Sequence, residues 1–452
     1  MKMSAAFGLS AAFAAVVCAA NGAQVVSQIV RQQWPWDGRV RVNYVLDAAA
    51  GETYDVSLRV TDPLGNDVTG TLAAQTGDIE FVSAGEHDIW WNPKVAGCEI
   101  AREAPLKFEV TLGKPSGPKY LVIDLSAGIG GPYTVEQFDR PPEGGFNTDE
   151  YKTRKMAFRR CKAGSYLMGS PETEAMRVPP PYEDRNDGSR FLAETRHLVT
   201  FTNDFWLALF ELTEGQSARI WETNKTCSAD STKVFYGVET PLSFRGPDYT
   251  WWNRTDSQVE PDSFFGRFRS SAANCLPSGY TLDLPTEAQW EYACRAGTDT
   301  AYSIGVSPTS NDYVRVTDFG KYNHRESPFY HLAALDSLGQ YCANGGVWRQ
   351  EVQPSTVGRY APNPWGFYDM YGNCEEFCRD AAVESNGNAD LGSAEAVEPL
   401  YVWFDLTNRC AIARGGGWLT GAENCRSASR RKGWLPSAEL YTVRPAIVRE
   451  VK

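Results

Sequence analysis

The 452-residue chain has few histidines, no surplus of basic residues and no long apolar run beyond its N-terminal stretch. Each of these lacks excludes something. Lys and Arg number 44 against 56 Asp and Glu, a formal charge of −12. Such a balance offers no electrostatic footprint for nucleic acid or for an anionic membrane. Only His87, His197, His324 and His331 are present. A facial iron centre needs two histidines and a carboxylate, or a third histidine. "HRESPFYH" pairs His324 and His331 with Glu326, whereas His87 and His197 lie in strand-like stretches, so an iron site is not expected. No phosphate-binding loop, HExxH or GxSxG occurs. There is no CxxC, and the spacing of Cys374 and Cys378 lacks the second pair that a zinc ribbon requires.

What is present describes a large folded protein. With 42% hydrophobic and 22% charged residues the composition is that of a globular chain, and 14 Trp, 21 Tyr and 21 Phe supply large cores. The length predicts two or three domains at about 100–200 residues each. Residues 1–23, with Lys2 followed by a small, apolar run, read as a secretory signal peptide, so the mature protein is expected to be exported, without a membrane span. Export permits disulfides, and ten cysteines follow Cys18, though their pairing is not legible.

Residues 24–115 read as an all-β, immunoglobulin-like sandwich. "RVRVNYVLD", "YDVSLRVTD", "EHDIWWN" and "LKFEVTL" are its strands, and "PLGND" is a turn. Residues 116–154 read as a linker, rich in Gly and Pro over 126–150, with an extra strand at "YLVIDL". From about residue 155 onward short strands, two helices and long Trp/Gly-rich loops predict an α+β domain over 155–452. Thr286 with Gln289, and Thr213 with Gln216, are capping boxes that start the two helices; Gly297 stops the first of these.

"DMYGNCEEF" (369–377) is an acidic loop with a glycine, the kind of segment that supplies calcium with carboxylate and carbonyl oxygens. Trp418, Arg426 and Arg430, with Arg431 and Trp434 nearby, form a cluster able to stack on and clamp a polar ligand; the competing role is structural, through cation–π contacts and salt bridges. "NKT" at Asn224 and "NRT" at Asn253 fit the N-glycosylation pattern.

Several segments together resemble the formylglycine-generating enzyme (sulfatase-modifying factor) family. They are "CKAGSYLMGSPETE", "RHLVTFTNDFWLALFELTEGQ", "LPTEAQWEYACRAGT", "PNPWGFYDMYGNCEEFCRD", "ARGGGWLTGAENCRSASRR" and "YTVRP", in family order. The resemblance implies a loop-rich α+β fold like that of C-type lectins, preceded here by the sandwich. It implies calcium held by the side chains of Asp369 and Glu376 and the carbonyls of Gly372 and Cys374, and a second site near Asn344. It also implies two cysteines that bind copper(I), one of which engages a substrate cysteine. The matching positions here are Thr420 and Cys425, and Gly417 replaces a common serine. A threonine hydroxyl is a poor ligand for a soft ion, so copper is not expected, and Cys425 is the sole remaining catalytic candidate. The disulfides the resemblance implies do not transfer, because the partners of Cys275 and Cys294 fall on Pro445 and Arg430. The expectation is an exported binding or scaffolding member with a protein, peptide or glycan ligand. The alternatives are an active oxidoreductase that converts a substrate cysteine to formylglycine, and a lectin-like receptor.

Overall fold

A computed structural model describes residues 22–32, 39–70, 74–98, 105–115, 117–178, 192–221, 241, 254–255, 258–304, 307–316, 329–344, 353–381, 396–399, 410–434 and 441–450. The segment up to residue 21, Cys227, His324, Asn224 and Asn253 lie outside them, as does the Trp434 side chain. The chain divides into two compact units near residue 118; residues 162–166 and 200–202 group with the first.

In the N-terminal unit, the strands Gln24–Gln32, Val40–Asp47, Gly85–Trp91 and Gln75–Gly77 form one antiparallel sheet in that order, and Asp55–Thr61 pairs with Lys107–Gly113 in another. Strict alternation explains these strands: Val40, Val42, Tyr44 and Leu46 are buried, and the residues between them are not. Both sheets contribute to one core that includes Val42, Tyr44, Val56, Leu58, Val60, Ile89, Trp91 and Val110. Gln75, 2% exposed, joins that core by mimicking a strand. Its side-chain oxygen accepts from the Leu58 N–H at 2.7 Å, and its amide donates to the Leu58 carbonyl at 3.0 Å. Between strands, Asp62 Oδ1 accepts from the N–H groups of Leu64 and Asn66, closing the expected turn.

The strand expected at 120–125 is present, but the reading of 116–154 as a linker is corrected. Tyr120–Asp124 and Thr134–Phe138 pair with each other inside a six-stranded antiparallel sheet of the second unit. Leu121, Val122 and Ile123 are fully buried there. The first part of the Gly/Pro cluster is the turn between them, where Gly128, Gly130 and Gly131 take positive φ. The same sheet holds Lys155–Cys161, Phe205–Ala208, Ala446–Arg449 and Tyr280–Asp283. A four-stranded sheet runs Arg431–Trp434, Cys410–Arg414, Glu375–Ala381, Tyr441–Val443, with the last pair parallel.

Both capping boxes are formed, starting Glu214–Ile220 and Glu287–Arg295. The second helix is buried at all nine positions, so its charged residues must find partners inside. It ends on Ala296 and Gly297, both with positive φ. A further helix, Phe264–Ala272, is capped by Ser263 and puts Phe264, Phe265, Phe268 and Ala272 into the core. Gly266 lets this helix lie against the preceding turn: a Cβ there would meet the Glu260 carbonyl oxygen at 2.1 Å.

Candidate functional site

The buried charges of the second unit are arranged around the Glu287–Arg295 helix and the four-stranded sheet. Arg414 bonds Glu291, which also holds Arg295 at 2.8 Å. Arg430 forks onto Glu287. Arg426 reaches Glu174 and Glu194, each at 2.7 Å. Arg426 and Arg430 are 1% and 2% exposed. Their expected role as a ligand clamp is therefore corrected: both guanidiniums are spent on internal carboxylates. Trp418 remains partly exposed; its backbone N–H donates to the Asn373 carbonyl at 2.7 Å, and its indole N–H has no hydrogen-bond partner.

The acidic loop leads into the strand Glu375–Ala381, so Glu376 is a strand residue. Its carboxylate accepts from Arg444 Nη2 at 2.6 Å and from Trp290 Nε1 at 2.7 Å. Asp369, in the left-handed region, accepts from the Gly358 N–H through Oδ2 at 2.6 Å, while Oδ1 is buried with no partner. Glu211 is the residue that sequence reasoning missed. Fully buried, it accepts from Asn373 Nδ2 and the Cys374 N–H. Burial, then the charges of Asp369 and Glu376, push its carboxyl well above the usual range. Asp369 is pushed up to about 6, chiefly by burial. Three carboxylates thus face one guanidinium, Arg444, which lies within electrostatic reach of all of them. The cluster fits a cation in charge and offers it Asp369 Oδ1; it fits less well at Glu376, whose oxygens are already engaged. Among the described residues no three His, Cys, Asp or Glu side chains converge closely enough to hold a metal ion by themselves. Asn344 is tied into a local turn, its oxygen accepting from the Tyr341 N–H and its amide donating to Gly339.

Thr420 and Cys425 are together, with Oγ1 and Sγ 3.7 Å apart, and both are buried. The Thr420 hydroxyl is committed to its own turn. It accepts from the Gly417 N–H at 2.8 Å and donates to the Gly417 carbonyl at 3.0 Å. A side chain at 417 would press on backbone atoms of Asn373 and Glu375 at 3.3 Å, which accounts for glycine in this packing. Burial pushes the Cys425 thiol up, away from the thiolate form. Around it stand Tyr302, whose hydroxyl donates to the Ala422 carbonyl at 2.7 Å, and Glu423, which accepts from the Tyr330 N–H. Cys342 is buried nearby, its N–H donating to the Thr420 carbonyl at 3.0 Å. In the sequence it was one cysteine among ten, with nothing to tie it to this pocket. His331 sits beside Asp336, 3.1 Å away and half-exposed, and His197 is bound to the Thr195 carbonyl.

Comparison with known proteins matches residues 147–437 to the family of sulfatase-modifying factor enzyme 1-like domains. A formylglycine-generating enzyme of Thermomonospora curvata is 27% identical over 162 residues, 35% of this chain and 46% of that protein. One of Mycobacterium tuberculosis is 33% identical over 94 residues, 21% of this chain and 25% of that protein. The matches thus span less than half of either relative. Among solved structures, PvdO from Pseudomonas aeruginosa aligns with a TM-score of 0.42 at 19% identity, covering 64% of this chain and 94% of its own. Treponema denticola variable protein 1 aligns with a TM-score of 0.40 at 16% identity, covering 66% and 96%.

Proposed function

Because the chain belongs to the sulfatase-modifying factor enzyme 1-like domain family, we propose that it is an exported member of that family that binds or scaffolds and does not make formylglycine. The observation that carries this is Thr420. Its hydroxyl bridges the N–H and carbonyl of Gly417, so it closes a turn where a second soft ligand would have to stand. The neighbouring Cys425 is buried and favours the protonated thiol, which is a poor nucleophile. The fold in this reading is C-type-lectin-like. The ligand is a protein, peptide or glycan, and Trp418 is the part-exposed aromatic available to it.

Calcium belongs to the same proposal. Asp369 would hold it through Oδ1, with the carbonyls of Gly372 and Cys374 and a shared oxygen of Glu376. When bound, the ion would supply positive charge to a cluster that Arg444 alone does not neutralise. Its role is to hold the loop and the strand after it, not to react.

The test is mass spectrometry of a cysteine-containing sulfatase-type peptide incubated with the protein, copper and oxygen. The expected result is unchanged peptide. Formylglycine formed by the wild type and lost in Cys425→Ser would overturn the proposal in favour of the oxidoreductase reading.

A further inference from the structure

The buried arginines Arg414, Arg426, Arg430 and Arg444 each hold a carboxylate. Arg159 does not. It is 6% exposed and stands in the strand Lys155–Cys161, opposite Tyr120 on one side and Leu207 on the other. Met156 and Phe158 of that strand enter the core, so alternation sends the Arg159 side chain to the other face of the sheet. There its guanidinium lies 4.8 Å from the centre of the Trp365 ring and 5.9 Å from that of Phe367. Nη1 donates to the Arg160 carbonyl at 2.9 Å. Nε is buried with no hydrogen-bond partner. Among the described residues no carboxylate meets Nε or Nη2.

The two unused nitrogens share one edge of the guanidinium, the edge that takes a carboxylate in two parallel hydrogen bonds. Nη1, at the opposite corner, is the anchor that holds this edge in place. A buried cation without a counter-ion is costly, and the ring faces offset only part of that cost. The aromatic wall is itself fixed. Asn363 Oδ1 accepts from the N–H groups of Trp365 and Phe367, each at 3.0 Å, and its amide donates at 2.8 Å to the carbonyl of Ala293 in the helix Glu287–Arg295. Tyr292 of that helix packs edge-on against Trp365, with ring centres 5.1 Å apart. Trp365 is part-exposed, and a Cβ built on Gly366 would meet nothing within 4 Å, so the loop is open on its outer side.

We infer that the free edge of Arg159 is a binding site for the carboxylate of an organic acid whose apolar body packs against Trp365. One guanidinium neutralises one unit of charge, which suits a carboxylate; a phosphate dianion would be left half-compensated beside two aromatic rings. The acid can be a free small molecule or the C-terminus of a peptide, since both present the same planar group. The inference does not rest on the scaffolding proposal, which concerns Thr420 and Cys425. A carboxylate site at Arg159 is compatible with either outcome of the peptide-oxidation assay.

The test titrates the full chain with benzoate, as a free acid, and with N-acetylphenylalanine, as a peptide terminus, reading affinity from the ligand's NMR line widths. Wild type should bind at least one of the two at millimolar concentration, and the tighter one identifies the source. Benzamide and N-acetylphenylalaninamide, which lack the charge, should not bind. Arg159→Met should weaken binding by roughly tenfold or more, the loss of a hydrogen bond to a charged group. Arg159→Lys keeps the charge but loses the fork, and should weaken it as well. Arg59→Met, at an exposed arginine of the other unit, should bind as wild type. Neither acid binding to wild type, the amides binding as well as the acids, or Arg159→Met binding like wild type would each overturn the inference. Should Arg159→Met not fold, a crystal structure of the wild type with the tighter acid decides instead. A carboxylate on Nε and Nη2 supports the site; an acid bound only elsewhere refutes it.

Discussion

Arg426 has both ends of its guanidinium committed, to Glu194 through Nη1 and Nη2, to Glu174 through Nη1 and to the Met176 carbonyl through Nη2. Removing one partner of such a buried set leaves uncompensated charge. Arg426→Met is expected to cost about 3–5 kcal/mol in urea unfolding of the second unit. A loss below about 1 kcal/mol would be the behaviour of an exposed pair, and would return the arginine to a ligand-facing role. His87 gives a pH-dependent counterpart in the N-terminal unit. Burial works against its charge, but Asp78, 3.4 Å away, the Ser83 carbonyl and the charge of Asp88 together raise its pKa. A raised folded pKa means the folded unit binds the proton more tightly than the unfolded chain. The stabilisation is therefore complete below the unfolded value near 6.5 and is lost as pH rises through the folded one. An NMR titration of the His87 ring should give a midpoint above about 6.5, and His87→Gln should flatten this part of the stability profile. A midpoint at or below the unfolded value would contradict the assignment.

At the scale of elements, the loop 369–374 and the strand Glu375–Ala381 stand on the Glu211, Asp369, Glu376 and Arg444 cluster. If calcium joins it, the melting midpoint should rise with calcium and fall with chelator, since a ligand that binds only the folded state adds about 2.7 kcal/mol at a hundredfold excess over Kd. Asp369→Ala should remove the difference. Identical midpoints for wild type in calcium and in chelator would exclude the ion. The helix Glu287–Arg295 was legible by its cap, Thr286 with Gln289, because capping is local chemistry. Its complete burial was not, since Glu287, Glu291 and Arg295 look like solvent-facing residues until Arg414 and Arg430 are placed against them. The sequence does not mark Phe264–Ala272 plainly, since Gly266 weakens a helical pattern; the glycine is explained by the Glu260 carbonyl, a contact with the turn just before the helix.

For the whole molecule, the boundary between the two units lies where strand Lys107–Gly113 ends and Tyr120–Asp124 begins. Lys114 is exposed in that interval. Limited digestion with subtilisin, a protease of broad specificity, is expected to cut around Gly113–Lys114 before it cuts within 126–150, because Thr134–Phe138 is paired along its length with Tyr120–Asp124. A first cut between 126 and 150 would restore the linker reading. Among the described residues no helix is long and apolar enough to cross a membrane.

Whatever depends on neighbours along the chain was determined by the sequence alone: the alternating strands Val40–Asp47 and Asp55–Thr61, the Asp62 turn, two capped helices and the family motifs. The replacement at Thr420 was also plain there, since a missing thiol is a matter of residue identity. The tertiary structure decided which side chains share a buried space. Arg426 and Arg430 turned inward because carboxylates more than a hundred residues away meet them in the buried interior. Glu211 joined Asp369 and Glu376, and Cys342 came to lie across Thr420 from Cys425, because strands and loops distant in sequence close around the same core. Burial then reset their chemistry: without solvent a carboxylate needs a cation or a proton, and a thiol keeps its proton unless a metal ion takes its place.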